Sequence, residues 1–116
     1  MNTETGDFLQ LIIDCVDMIQ ANMKELDKKS FGNDTTKEDA IIRRVIIIGE
    51  CIKSLPSEVK YAYPSVDWHR IVGVRDILVH DYWGIDSDLL YDFLIEQLPI
   101  SRLQMLVIIG ERYHRR

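Results

Sequence analysis

The chain has 116 residues, 47% hydrophobic and 28% charged, with a formal net charge of −5. That is enough apolar material for one domain with its own core, so no disulfide or metal staple is needed to fold it. Taken as an average, the negative charge argues against a nucleic-acid binder.

The distribution of charge says something different. Residues 1–39 hold nine acids against four lysines, which is the whole surplus, and residues 40–116 are neutral. All eight arginines lie in the second part, at 43, 44, 70, 75, 102, 112, 115 and 116. Arginine is the side chain suited to forked phosphate contacts, so a local anion site stays open. Cys15 and Cys51 sit in apolar stretches and match no metal-ligand spacing; reduced core cysteines in a cytoplasmic protein are the expectation. Residues 1–7 carry two acids and no base, unlike a secretory leader. Uninterrupted apolar runs such as Val45–Gly49 fall far short of the ~20 residues of a membrane span.

In chain order, the first predicted helix runs from about Asp7 to Lys29. Phe8, Ile12, Cys15, Ile19 and Leu26 recur at helical spacing, with Leu9, Val16 and Met23 beside them. Phe31 to Asp34 reads as a loop. The second helix starts at Thr35 or Thr36, with Thr36 and Asp39 resembling a capping box. Its seam of Ile41, Val45, Ile48, Ile52 and Leu55 steps by fours and threes, and Pro56 closes it. Ser57–Tyr61 fits one or two turns, and Asp67 is placed to cap another through Trp68 and Ile71. Gly73 reads as a flexible joint before a short helix from Val74 to about His80. Asp86 is the N-cap of a last helix through Leu98, which Pro99 should kink or interrupt before Ile100–Gly110 continues it. The sum is an all-α, antiparallel four- to five-helix bundle, one domain over residues 1–116.

One stretch is chemically loaded, Arg75-Asp76-Ile77-Leu78-Val79-His80-Asp81-Tyr82. Residues four apart share a helix face, so Asp76 and His80 can hydrogen-bond, and a carboxylate there would fix the imidazole tautomer. Arg75 and His80 are five apart and diverge on an ideal helix. They meet on one ligand only if the helix ends near His80 or a second chain contributes. Residue types alone favour a surface base and a satisfied imidazole.

The string RDILVHDYWGID resembles the signature of the HEPN superfamily, and more narrowly its HepT-like branch, written Arg-x4-His-x-Tyr. The matching positions are Arg75, His80 and Tyr82, with Asp76 as the polar second residue. The likeness extends over about residues 40–98: an arginine-bearing helix running into Gly-Glu, a Leu-Pro break, and Pro-x-x-x-Trp just before the motif. The resemblance implies a homodimer whose two motifs face a shared cleft. It implies a metal-independent endoribonuclease toxin, without cofactor, of a toxin–antitoxin pair. Its partner would be a nucleotidyltransferase that silences it by AMPylation of the motif tyrosine, here Tyr82.

RNA carries its own nucleophile, the 2′-OH. Cleavage needs a proton acceptor, a proton donor and a cation for the developing charge. His80 would move protons, since imidazole titrates near neutrality. Arg75 would hold the phosphate and stabilise the charge. Asp76 would orient His80, and Tyr82 would line the cleft or stack on a base. Arg43, Arg44 and Trp83 are further RNA-binding candidates, although Arg43 and Arg44 serve equally as surface bases. Glu50 reads as a structural partner for an arginine, Arg75 in first place, and Gly49 as room for close helix approach. Trp68, Tyr61 and Tyr63 read as packing residues, Met18, Met23 and Met105 as core filler, and Arg112, His114, Arg115 and Arg116 as a solvated tail. Two other readings compete: a non-catalytic HEPN module that binds nucleotide or RNA or only partners a nucleotidyltransferase, and a plain helical interaction domain. Asp76 departs from the neutral amide common at that position, and it could weaken Arg75's hold on phosphate or improve the poise of His80.

Overall fold

The computed structural model describes residues 3–33, 35–81 and 85–113. Those residues form helices and loops with no strand: α1 (Thr3–Met23), α2 (Thr35–Ser54), α3 (Ser57–Ala62), α4 (Trp68–His80), α5 (Ser87–Asp92), a π-helical turn (Phe93–Gln97) and α6 (Leu98–Arg112). The last three run on as one rod, so five helical rods make the all-α bundle.

α1 packs on both α2 and α6, and α2 packs on α4. That is why α1 buries two adjoining stripes: Leu9, Ile12, Ile13, Cys15, Val16, Ile19 and Met23 are all in the core. It begins four residues earlier than its apolar pattern suggests and ends at Met23, short of Lys29. A local competitor stops it. Asp27 Oδ1 accepts from the Ser30 amide at 2.8 Å, and Ser30 Oγ accepts from the Asp27 amide at 3.0 Å. These reciprocal bonds satisfy backbone groups that a helix would otherwise use. Leu26 and Phe31 still bury, but from the loop, where Phe31 meets Tyr91 edge-on at 5.6 Å. Met18 is exposed, so only Met23 and Met105 of the expected fillers reach the core.

The α2 seam is buried at every predicted position, Ile41, Val45, Ile48, Ile52 and Leu55. The helix starts at Thr35, so Thr36 lies inside the first turn and is not its cap. Cys15 and Cys51 are buried free thiols, and burial pushes Cys51 up to about 11, which keeps it protonated at neutral pH. Asp67 caps α4 by accepting from the Arg70 amide at 3.3 Å. Asp86 caps α5 by accepting from the Asp88 and Leu89 amides at 2.8 and 3.3 Å.

Two expectations change here. Gly73 is not a joint: α4 runs unbroken from Trp68 to His80, because Trp68, Ile71 and Leu78 bury on one side and override the poor helix preference of glycine. Pro99 does not stop its helix either. Proline has no N–H and its ring crowds the carbonyl four residues back. The preceding turn widens, with the Leu98 amide reaching back to the Phe93 carbonyl, and the rod continues to Arg112. The resulting Ser87–Arg112 rod is long and apolar enough, by length and composition, to cross a membrane. The search for an unbroken apolar run missed it because Glu96, Gln97, Ser101, Arg102 and Gln104 interrupt the pattern. In this bundle one stripe of the rod, including Leu94, Leu98, Met105 and Ile108, lies in the core.

Candidate active site at the end of α4

Arg75 lies where α4 crosses α2. Gly49 is buried at that crossing, and a Cβ built there would run into Arg75 Cβ and Cγ. The missing side chain is therefore the space that the arginine occupies. The next residue, Glu50, approaches the guanidinium at 3.6 Å from Nη2, as its Gly-Glu position suggested. Asp76 accepts a hydrogen bond from Nη1 at 2.8 Å. Lys53, one turn after Gly49 on α2, stands 3.7 Å from the same Asp76 oxygen. Glu50, Lys53, Arg75 and Asp76 thus form a four-charge cluster with no net charge.

The Arg75 side chain is only 15% exposed. Among the described residues its Nε is buried and has no hydrogen-bond partner. A buried donor without an acceptor costs about 1–3 kcal/mol, a state that Arg44 Nε and Arg112 Nε share. The Arg75 guanidinium, helped by Lys53, holds the Asp76 carboxyl below the usual carboxylate range, and Asp76 in turn raises Arg75. Since the Asp76 value in the fold is the depressed one, the pair is fully present above the ordinary carboxylate range. It is lost only as pH falls through the lowered value.

The expected Asp76–His80 hydrogen bond is not formed among the described residues. Asp76 turns to Arg75 and Lys53, and His80 acts on it only through space. His80 is the last residue of α4 and is exposed. Helix geometry puts it about 140° around the axis from Arg75. Within one chain the two motif side chains therefore look in different directions, and the helix ends where the sequence required if they are to share a ligand.

The other candidates separate. Arg43 is exposed two turns before Glu50, on the same side of α2. Arg44 sits on another side, close enough to α1 to act on the Cys15 thiol, so it does not extend the Arg75 face. Trp68 is buried, with its indole N–H donating to the Tyr63 carbonyl at 3.1 Å. Tyr63 packs on the core, and its hydroxyl donates to Glu111 at 2.8 Å. Tyr61, expected to pack, is instead exposed. Tyr82 and Trp83, and His114, Arg115 and Arg116 of the tail, lie outside the described residues. Lys53 was missed by the sequence reading, because a lone lysine on a neighbouring helix carries no local signal.

Asp76→Asn is expected to release Nη1 of Arg75 and to remove a negative charge from the cluster. Affinity for single-stranded RNA should rise about three- to fivefold, with little loss of stability because the carboxylate is partly exposed. Titration of both proteins with a non-cleavable oligonucleotide checks this; unchanged or weaker binding by the variant would show that Asp76 does not restrain Arg75.

Comparison with known proteins adds a second line. Residues 12–108 match the family described as ribonuclease HepT-like. A probable ribonuclease HepT of Thermococcus cleftensis is 31% identical over 99 residues, 85% of this chain and 90% of its own. A "Putative RNase" of Caldanaerobacter subterraneus subsp. tengcongensis is 28% identical over 88% of this chain and 91% of its own. A Methanocaldococcus jannaschii protein named "Gamma-glutamylcyclotransferase and putative RNase" is 31% identical over 96% of this chain, which spans half the length of that relative. No solved structure matches the chain. With the family match spanning residues 12–108, and the Arg-x4-His signature closing a helix of an all-α bundle, the chain belongs to the HepT-like family of the HEPN superfamily.

Proposed function

We propose that this protein is a metal-independent endoribonuclease, acting as a homodimer with two Arg75–His80 sets in a shared cleft. The observation that carries this reading is a nearly buried arginine placed about one and a half turns before an exposed histidine at a helix end, in the Arg-x4-His spacing. In the reaction, one His80 takes the proton from a ribose 2′-OH, whose oxygen attacks the adjacent phosphorus. The bond to the 5′-oxygen breaks, and the protonated imidazole returns that proton to the oxygen. Arg75 holds the phosphate and meets the charge that builds on it. The products are a 2′,3′-cyclic phosphate and a 5′-hydroxyl.

Two features support a second copy of the chain. A cleft of about 490 Å³ between α4 and α5 is walled by Val74, Ile77, Ile85, Leu89 and Phe93, and both Leu89 and Ile77 are exposed. Gly73 faces open space on the outer side of α4, in line with Asp76 and His80. Glycine there costs the helix about 1 kcal/mol and serves no neighbour in its own chain. A partner helix passing close would account for it.

The same reading makes the protein the toxin of a cytoplasmic toxin–antitoxin pair, held quiet by a nucleotidyltransferase that AMPylates Tyr82. AMP would bring bulk and a negative phosphate to a phosphate-binding cleft. The carboxylate clamp on Arg75 is the one observation that favours the rival reading, a non-catalytic RNA- or nucleotide-binding module. The deciding experiment is cleavage of single-stranded RNA by purified protein in EDTA, with end-group analysis. Cyclic phosphate ends are expected. No cleavage by soluble dimer, or cleavage only with added metal, would overturn the catalytic reading.

A further inference from the structure

Beside the motif lies a second concave surface, a cleft of about 680 Å³ between the end of α2, α3 and the start of α4. Its lining includes Lys53, Lys60, Tyr61, Asp67, Trp68 and His69. The one carboxylate in that set, Asp67, is occupied as the cap of α4. Two lysines and a histidine thus stand with this capped carboxylate on an otherwise largely apolar lining. Lys60 spends one donor on the Ile52 carbonyl at 3.3 Å, and an ammonium group has three.

Tyr61 is the unusual member. Its side chain is 83% exposed, the highest exposure of any large apolar residue described, although it lines a cleft beside a packed core. Among the described residues its hydroxyl makes no hydrogen bond that would explain its position. An exposed ring in one cleft with two lysines is the combination used to stack an unpaired base while lysines follow the backbone.

The cleft is continuous with the active site. Lys53 lines it and also reaches Asp76. A strand leaving Arg75 past Lys53 enters this cleft, where Tyr61 stands.

We infer that this cleft binds the single-stranded RNA next to the scissile phosphate, with one unpaired base stacked on Tyr61 and phosphates held by Lys53 and Lys60. The inference rests on the ribonuclease reading for the identity of its ligand. It adds a subsite that makes the protein prefer unpaired RNA.

The test is binding of a labelled single-stranded RNA, 2′-O-methylated so that no cleavage can occur, measured by fluorescence anisotropy alongside cleavage of unmodified RNA. Tyr61→Ala should weaken binding about tenfold, and Tyr61→Phe, which keeps the ring, should bind like the parent. Circular dichroism melts should coincide, because the side chain is exposed. Equal binding by Tyr61→Ala, or equal losses in both variants, overturns the subsite. So does equal affinity for duplex RNA, or a Tyr61→Ala defect confined to a nucleotidyltransferase partner. If Tyr61→Ala is neutral while RNA is still cut, the subsite fails and the ribonuclease reading stands. If binding depends on the Tyr61 ring but nothing is cut, the subsite stands and the catalytic reading fails.

Discussion

Replacing His80 with alanine is expected to lower RNA cleavage by about 10²–10⁴-fold, the usual cost of losing a proton-transfer side chain. Stability should hardly change, because His80 is exposed at the end of α4 and no buried packing depends on it. Arg75→Ala should be as damaging for a different reason: it removes the phosphate ligand and leaves Glu50 and Asp76 facing each other without their shared cation. The two variants can also be mixed. Arg75 looks toward α2 while His80 looks out, so one working set is expected to draw Arg75 from one protomer and His80 from its partner. A mixture of the two inactive proteins, refolded together, should then regain measurable cleavage. A mixture as inactive as its parents would mean that each chain supplies a complete pair.

Gly49→Ala is expected to destabilise the fold, although alanine is the better helix former by about 1 kcal/mol. The added methyl would collide with Arg75 Cγ and with Cβ, an atom fixed to the α4 backbone and unable to swing away. Overpacking of this kind costs about 1–3 kcal/mol and should win, lowering Tm by roughly 3–8 °C. Gly49→Val should be worse. The damage should also appear in cleavage, since pushing α4 off α2 moves Arg75 relative to Glu50. A Gly49→Ala protein that melts at or above the parent temperature would show that the crossing is looser than described.

These residues also show how far the sequence could be read. The α2 seam, the Asp67 and Asp86 caps and the Gly49-Glu50 pair were legible, because each is fixed by spacing along the chain or by short-range chemistry. Asp76 was not. The helix rule pairs residues four apart and so pointed it at His80, yet a long arginine side chain curls back to its neighbour, and Lys53 reaches in from another helix. Tyr61 was assigned to packing by its residue type, and only the three-dimensional path of α3 leaves it exposed. Gly73 illustrates the opposite failure. Its local preference suggested a joint, and packing on the far side of α4 overruled it.

The position of α1 has an electrical consequence. This helix carries Glu4, Asp7, Asp14 and Asp17 with no basic residue, and it packs on α2 and α6 while α4 packs on α2. α1 thus carries four acids, one of them paired with Arg102 of α6, on one side of a bundle 27 × 21 Å in section. At about 0.15 M salt the Debye length is ~8 Å, so little of the α1 field crosses to Arg75. At ~0.01 M it is ~30 Å, and the field spans the molecule. Dilute buffer, which usually speeds the meeting of a protein with a polyanion, would here bring a distant repulsion into range. An approaching RNA would be turned away from the α1 side and admitted from the α4 side, so α1 selects the direction of encounter without touching the ligand.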